Sequence, residues 1–154
     1  MQVLNKNYLS KENKNKWLPL SGKRVLIINT QWNESIIESL TKAAISNLEF
    51  ASLEYDVLTV PGAYEIPYAI HKRAKHYDGV VTIGCVVKGQ TYHFNAIVDA
   101  ISPAIIDLSI KHNTPISFGV LTVNNIQEAI YRTQDDNSNK GYEATSALLD
   151  MMLI

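Results

Sequence analysis

Two hydrophobic rhythms alternate along this chain. Arg24-Val25-Leu26-Ile27-Ile28-Asn29-Thr30 is a continuous apolar run entered through a basic residue, the pattern of a strand buried on both faces. Beyond it, Ile36, Ile37, Leu40, Ala44 and Leu48 fall at three- and four-residue steps, giving a helix one apolar face, with Asn33 placed to cap it. Tyr55 to Val60 reads as a second strand, stopped by Pro61-Gly62. A second helix is expected from about Glu65 to Tyr77, with Pro67 in its first turn, where a missing N–H costs nothing. Asp78-Gly79 then turns the chain into a third strand, Val80 to Val87.

The next helical segment, about Tyr92 to Lys111, carries Phe94, Ile97, Val98, Ile101, Ile105 and Leu108 on one side. Pro103 lies inside it and should kink or break it near Ser102. Ile116 to Val123 is a fourth strand. Asn124 with Gln127 three residues later forms a capping-box pattern, and the polar stretch Thr133 to Lys140 precedes a last helix, Tyr142 to Met152.

Strand and helix alternate four times without a hairpin signal. The economical architecture is α/β: a four-stranded parallel sheet with helices on both faces and right-handed crossovers. Ligands of such sheets bind beyond the carboxyl ends of the strands. Here those ends are Gln31-Trp32-Asn33, Pro61 to Glu65, Lys88 to His93, and Thr122-Val123-Asn124. Residues 1–20 are polar and aperiodic and read as an N-terminal arm outside the core, ordered only against another element or subunit. Residues 21–154 then form a single domain.

Composition adds limits. With 154 residues, 46% apolar and 19% charged, the chain can bury one good core, and its low charge suggests surface covered by partner subunits. A net charge of −1 provides no broad positive field for nucleic acid or an anionic membrane, so any anion must be held locally. The one cysteine, Cys85, excludes an intrachain disulfide and a thiolate metal cluster. The first residues lack the pattern of a signal peptide and no run of about 18 apolar residues occurs, so a cytoplasmic protein is expected.

The segment Gly84 to Phe94 is the richest in chemistry. A strand runs into Gly89 and then a helix, so the N–H groups of Gln90 and Thr91 can converge on an anion at the helix N-terminus. An ordinary strand-to-helix turn with a capping Thr would read the same way. His93 opens that helix, where a near-neutral imidazole can take and return a proton; the four histidines show no metal-ligand spacing. Trp32 can stack on a flat heterocycle or lid the core, and Glu65 can accept from polyol hydroxyls or simply favour a helix start. Cys85 reads as a small core residue. Arg132 and Lys140 are solvated charges or together a phosphate clamp.

Taken together, Trp32-Asn33, Pro61-Gly62-Ala63-Tyr64-Glu65-Ile66-Pro67, Gly84 to Phe94, Pro115 to Thr122, Ile126 to Ile130 with Arg132, and Asn139-Lys140-Gly141 strongly resemble the 6,7-dimethyl-8-ribityllumazine synthase family, over about residues 22–152. The resemblance implies a flavodoxin-like three-layer α/β/α sandwich. It further implies condensation of 5-amino-6-(D-ribitylamino)uracil with 3,4-dihydroxy-2-butanone 4-phosphate, without cofactor or metal. By the same resemblance, Trp32 stacks on the pyrimidine ring, Ala63, Tyr64 and Glu65 hold the ribityl chain, and Val86 and Val87 line the ring pocket. Gly89, Gln90 and Thr91, paired with Arg132, hold the phosphate, and His93 shuttles protons. Phe118 and Lys140 are implied to come from a neighbouring subunit of a homo-oligomer.

The chain departs from the family pattern in three places. Asn95 stands where an acidic residue usually follows His93-Phe94, and Lys88 where Arg is frequent, which matters if that residue touches phosphate. Thr133 to Ser138 replaces a glycine-rich stretch of the shell-forming members, which points to a pentamer rather than the sixty-subunit shell. Association with riboflavin synthase is a further partner that the resemblance brings into view. Two other classes use the same fold: a non-catalytic flavin- or lumazine-binding module, and a shell protein with a decayed site. His93 and Arg132 count against the first, and the retained Glu65, Thr91, His93, Arg132 and Lys140 against the second.

Overall fold

Six of the seven residues of β1 (Arg24–Thr30) are buried, as the continuous apolar run requires. In the computed structural model, which describes residues 7–154, β1 lies between β2 (Glu54–Val60) and β3 (Gly79–Val87), and β4 (Ile116–Val123) pairs with β3. All pairings are parallel, and the order is β2-β1-β3-β4. Val25 faces Tyr55 on one side and Gly79 on the other, while Gly84 faces Val120.

Helices cover both faces, so the three-layer α/β/α sandwich holds. α2 (Glu34–Phe50) and α6 (Lys140–Met152) pack on one side with Ile27, Val81, Ile83 and Cys85. α3 (Ile66–Arg73) and α4 (His93–His112) pack on the other with Leu26, Ile28, Val80 and Val120. Alternate residues of β3 thus serve two cores, the period-two geometry of a strand. A glycine is required where α6 crosses α2. A methyl on Gly141 would lie 2.2 Å from the Leu40 carbonyl oxygen and 2.9 Å from Ala43 Cβ.

Several local expectations are corrected. The expected arm at residues 1–20 is not wholly outside the core; residues 1–6 lie outside the described residues. Ser10 caps the short helix α1 (Lys11–Lys16), and Trp17 and Leu20 are buried in the α2/α6 core. Trp17 Nε1 donates to Asp150 Oδ1 at 2.8 Å, so a buried indole anchors this polar stretch. The second helix is shorter than expected: 3₁₀ turns at Ala63–Glu65 and Ala74–His76 flank α3. α4 runs through Pro103 as one helix; the exposed Asp99 leaves the freed carbonyl open to water.

Only Ile101 and Ile105 of α4 are fully buried, whereas Ile106 and Ile110 are 61% and 76% exposed. By length and composition this helix is apolar enough to cross a membrane, a property the apolar-run criterion did not detect. Asn125, not Asn124, caps α5 (Ile126–Tyr131), its side chain accepting from the Glu128 N–H. Glu128 reaches back to the Asn124 N–H at 2.9 Å, so the reciprocal cap exists one residue later than expected, with Glu128 in place of Gln127. α6 begins at Lys140 rather than Tyr142.

Candidate functional site

The strand order reverses between β1 and β3, and the loops after these strands diverge to opposite faces, opening a crevice at their carboxyl ends. A cleft of about 710 Å³ lies there, lined by Trp32 and Asn33 after β1, Gly62 to Glu65 after β2, Cys85 to Val87 of β3, and His93, Ala96 and Ile97 of α4. It gathers seven of the expected site residues: Trp32, Ala63, Tyr64, Glu65, Val86, Val87 and His93.

Gly62 sets how two of them meet. A methyl there would stand 3.2 Å from Glu65 Oε2 and 3.4 Å from Trp32 Cδ1, so the carboxylate and the indole close over bare backbone. Trp32 is 72% exposed and Tyr64 65%, so neither acts as a core lid; both offer aromatic surface to the cleft.

Asn33 departs from the sequence expectation. It holds the N-cap position of α2 but adopts a left-handed backbone, φ 59° and ψ 55°, without a side-chain cap bond. Its carbonyl accepts from Ile36 and Ile37, and its side-chain Nδ2 reaches across to the Cys85 carbonyl at 3.4 Å. An Asn tolerates this conformation better than most residues, and the strain turns its amide toward β3. Thr30, Asn33, Gly62, Cys85, Ala96 and Ile97 are the cleft residues that sequence reasoning did not assign to the site. Their signal lay in spacing, since Ala96 and Ile97 fall three and four residues after His93, on its helix face. Burial pushes the Cys85 thiol up to about 11, which keeps it protonated and fits a packing role.

Lys88, Gly89, Gln90 and Thr91 form the exposed rim between β3 and α4 and line neither this cleft nor the next. Lys88 is tied down by its N–H, which donates to the Val123 carbonyl at 2.8 Å. Among the described residues, the amides of Gly89, Gln90 and Thr91 have no backbone acceptor, and Tyr92 gives α4 no side-chain cap. A twenty-residue helix therefore presents open amides and the positive end of its dipole beside His93.

Phe118, Arg132 and Lys140 are not in the first cleft. They line a second, of about 760 Å³, along β4 and α5, together with Tyr131 and Glu128. Local bonds set the two cations side by side. Arg132 caps the end of α5, and its carbonyl accepts from the Lys140 N–H at 2.9 Å. Asn139 caps α6 through the Gly141 N–H at 2.8 Å. The Asp136 carboxyl, bonded by the Ser138 hydroxyl and then its amide, is held below its usual range. The two clefts have no lining residue in common. One holds an indole, a carboxylate and an imidazole; the other holds both cations, beside Phe118, Tyr131 and Glu128. Among the described residues no three His, Cys, Asp or Glu side chains converge as metal ligands would.

Comparison with known proteins gives a consistent answer. Residues 22–154 match the family described as 6,7-dimethyl-8-ribityllumazine synthase. A 6,7-dimethyl-8-ribityllumazine synthase of Nitrobacter hamburgensis is 39% identical over 142 residues, 88% of this chain and 87% of that protein. One of Bartonella tribocorum is 41% identical over 133 residues, covering 84% and 88% of the two chains. One of Rhodopirellula baltica is 36% identical over 138 residues, covering 86% and 89%.

Proposed function

The chain belongs to the 6,7-dimethyl-8-ribityllumazine synthase family, and from that premise we propose how its two clefts divide the work of the reaction. The enzyme condenses 5-amino-6-(D-ribitylamino)uracil with 3,4-dihydroxy-2-butanone 4-phosphate and releases inorganic phosphate and water. One observation carries the division: the stacking and proton-transfer groups line one cleft, the cations another, with no lining residue in common. A complete site then needs the first cleft of one subunit against the second cleft of the next.

In this reading Trp32 stacks on the pyrimidine, Val86 and Val87 flank it, and the backbone of Ala63 and Tyr64 with the Glu65 carboxylate binds the ribityl hydroxyls. The phosphate lies on the open amides of Gly89, Gln90 and Thr91 at the α4 N-terminus, beside Lys88. Arg132 and Lys140 reach it from the neighbour, and Phe118 of the same neighbour closes over the ring. Arg132 goes with Phe118 and Lys140 because all three line one cleft.

The 5-amino nitrogen attacks the ketone carbon, and the carbonyl oxygen leaves as water, forming an imine. A proton is then lost from the adjacent carbon, and the C–O bond to phosphate breaks with its electron pair. The resulting enol becomes a ketone, which the ribitylamino nitrogen attacks with loss of a second water. His93 takes the proton from the attacking amine and returns it to the departing oxygen. The cations and amides stabilise the leaving dianion, and both clefts together hold the reactants in contact.

A heterologous contact repeated about one axis closes a ring, and a pentamer is the assembly proposed here. The exposed Ile106 and Ile110 of α4 support burial of that helix between subunits. A free, buried Cys85 thiol fits a reducing cytoplasm. Mixing two impaired variants, His93→Ala and Arg132→Ala, tests the shared site. Random reassembly in equal amounts should restore about a quarter of the activity, since that share of interfaces carries both intact halves. Absence of any recovery in mixed rings overturns the division.

A further inference from the structure

A carboxylate stands behind the cation pair of the second cleft and has no part in the mechanism above. Lys140 and Glu143 lie one turn apart at the start of α6, with Nζ 2.7 Å from Oε1 and side chains 24% and 34% exposed. Partly withdrawn from water, the pair is screened less than a surface one. Lys140 lines the large cleft with Arg132 and Phe118, and also a 220 Å³ cavity on its other side. Glu143 lines only the smaller cavity and the groove under Tyr8 and Trp17. The ammonium is thus reachable from two directions, by Glu143 from one and by an anion in the large cleft from the other.

The backbone beneath Lys140 cannot adjust, because its N–H is bonded to the Arg132 carbonyl and the next amide to Asn139. Any change of partner must come from the side-chain torsions alone. Among the described residues Arg132 has no carboxylate within ion-pair distance, so of the two cations one is uncommitted and the other already holds an anionic partner. A phosphate dianion meeting both cations has the stronger attraction for Lys140, but it must displace a bonded carboxylate to gain it.

We propose that Glu143 competes with phosphate for Lys140, releasing the ammonium when the phosphorylated substrate binds and recapturing it as inorganic phosphate leaves. This rests on the assignment of Arg132 and Lys140 to the phosphate. Glu143 is a positioning residue: it acts through Lys140, and its effect is to keep phosphate binding weak enough for turnover.

The test is Glu143→Gln in the full assembled enzyme, with inorganic phosphate as the probe by calorimetric titration and steady-state kinetics alongside. Removing the competitor should tighten phosphate binding roughly threefold to tenfold. KM for the phosphorylated ketone and kcat should both fall, while KM for the ribitylaminouracil stays constant. Glu143→Asp, which keeps the charge, should return phosphate affinity toward the parent value and also guards against misfolding of the Gln variant. In a Lys140→Ala background the Gln substitution should change nothing. Unchanged or weaker phosphate binding in Glu143→Gln overturns the competition. If Lys140→Ala alone leaves phosphate binding intact, the phosphate assignment itself fails and the competition fails with it.

Discussion

The backbone N–H of Lys140 donates to the carbonyl of Arg132 at 2.9 Å, so one hydrogen bond closes the loop between two cations and presents them together. The two should therefore act on the same group of the substrate. Arg132→Ala is expected to lower kcat/KM for the phosphorylated ketone by roughly tenfold to a hundredfold, the range for losing a charge-assisted bond. Binding of the ribitylaminouracil, measured at equilibrium, should change little. Lys140→Ala should act in the same direction and less strongly, since an ammonium lacks the bidentate fork. Equal losses for both substrates would remove the pair from the phosphate.

Proton transfer is assigned to His93, at the first position of α4 and in the wall of the first cleft. His93→Ala should slow turnover by roughly tenfold to a thousandfold while the oligomer keeps its mass. Residual turnover is expected because holding two reactants in contact survives the loss of the shuttle. Turnover near that of the parent would exclude His93 from proton transfer.

Gly141 makes the crossing of α6 over α2 possible. Gly141→Ala should cost about 1–3 kcal/mol through overpacking, seen as a melting temperature lowered by roughly 2–12 °C. Gly89→Ala is the control, since a methyl there meets nothing within 4 Å; it should melt with the parent. A stable Gly141→Ala variant would show that the two helices can move apart.

Cys85, with its thiol pushed up to about 11 by burial, should resist alkylation. At pH 8 iodoacetamide is expected to modify it roughly a hundredfold more slowly than an unfolded cysteine, because so little thiolate is present. The sign for stability follows. The folded state keeps its proton longer than the unfolded one, so folding loses stability as pH rises from about 9 toward 11 and is unaffected at neutral pH. Rapid modification of the native protein at pH 8 would contradict this burial.

Assembly should stop at a closed ring. Five chains of 17.2 kDa make about 86 kDa, the mass expected by light scattering in dilute neutral buffer. Thr133 to Ser138 contains no glycine and carries Asp135 and Asp136, whose charges would repel where rings meet. A megadalton particle would overturn the ring while leaving the enzyme intact; a stable, active monomer would sink the shared site.

Periodicity by itself determined the alternation of elements, the parallel sheet and the four loops at its carboxyl edge. These follow from local rules, since a buried strand needs an unbroken apolar run and a covering helix needs a three-to-four repeat. Motif spacing likewise carried the family. The partition of the site residues was not legible in the same way. Arg132 looked like a partner of Gly89 to Thr91, yet in the fold it lines a cleft with Phe118 and Lys140, because α5 and the α6 cap lie on β4. Trp17 looked like part of a loose arm until α2 and α6 supplied a buried slot and Asp150 an acceptor. Asn33 looked like a cap, but its left-handed backbone sends the side chain to Cys85 instead. Each of these was decided by residues far along the chain. Local sequence specifies which groups a segment offers, while only the packed fold fixes which partners stand within bonding distance.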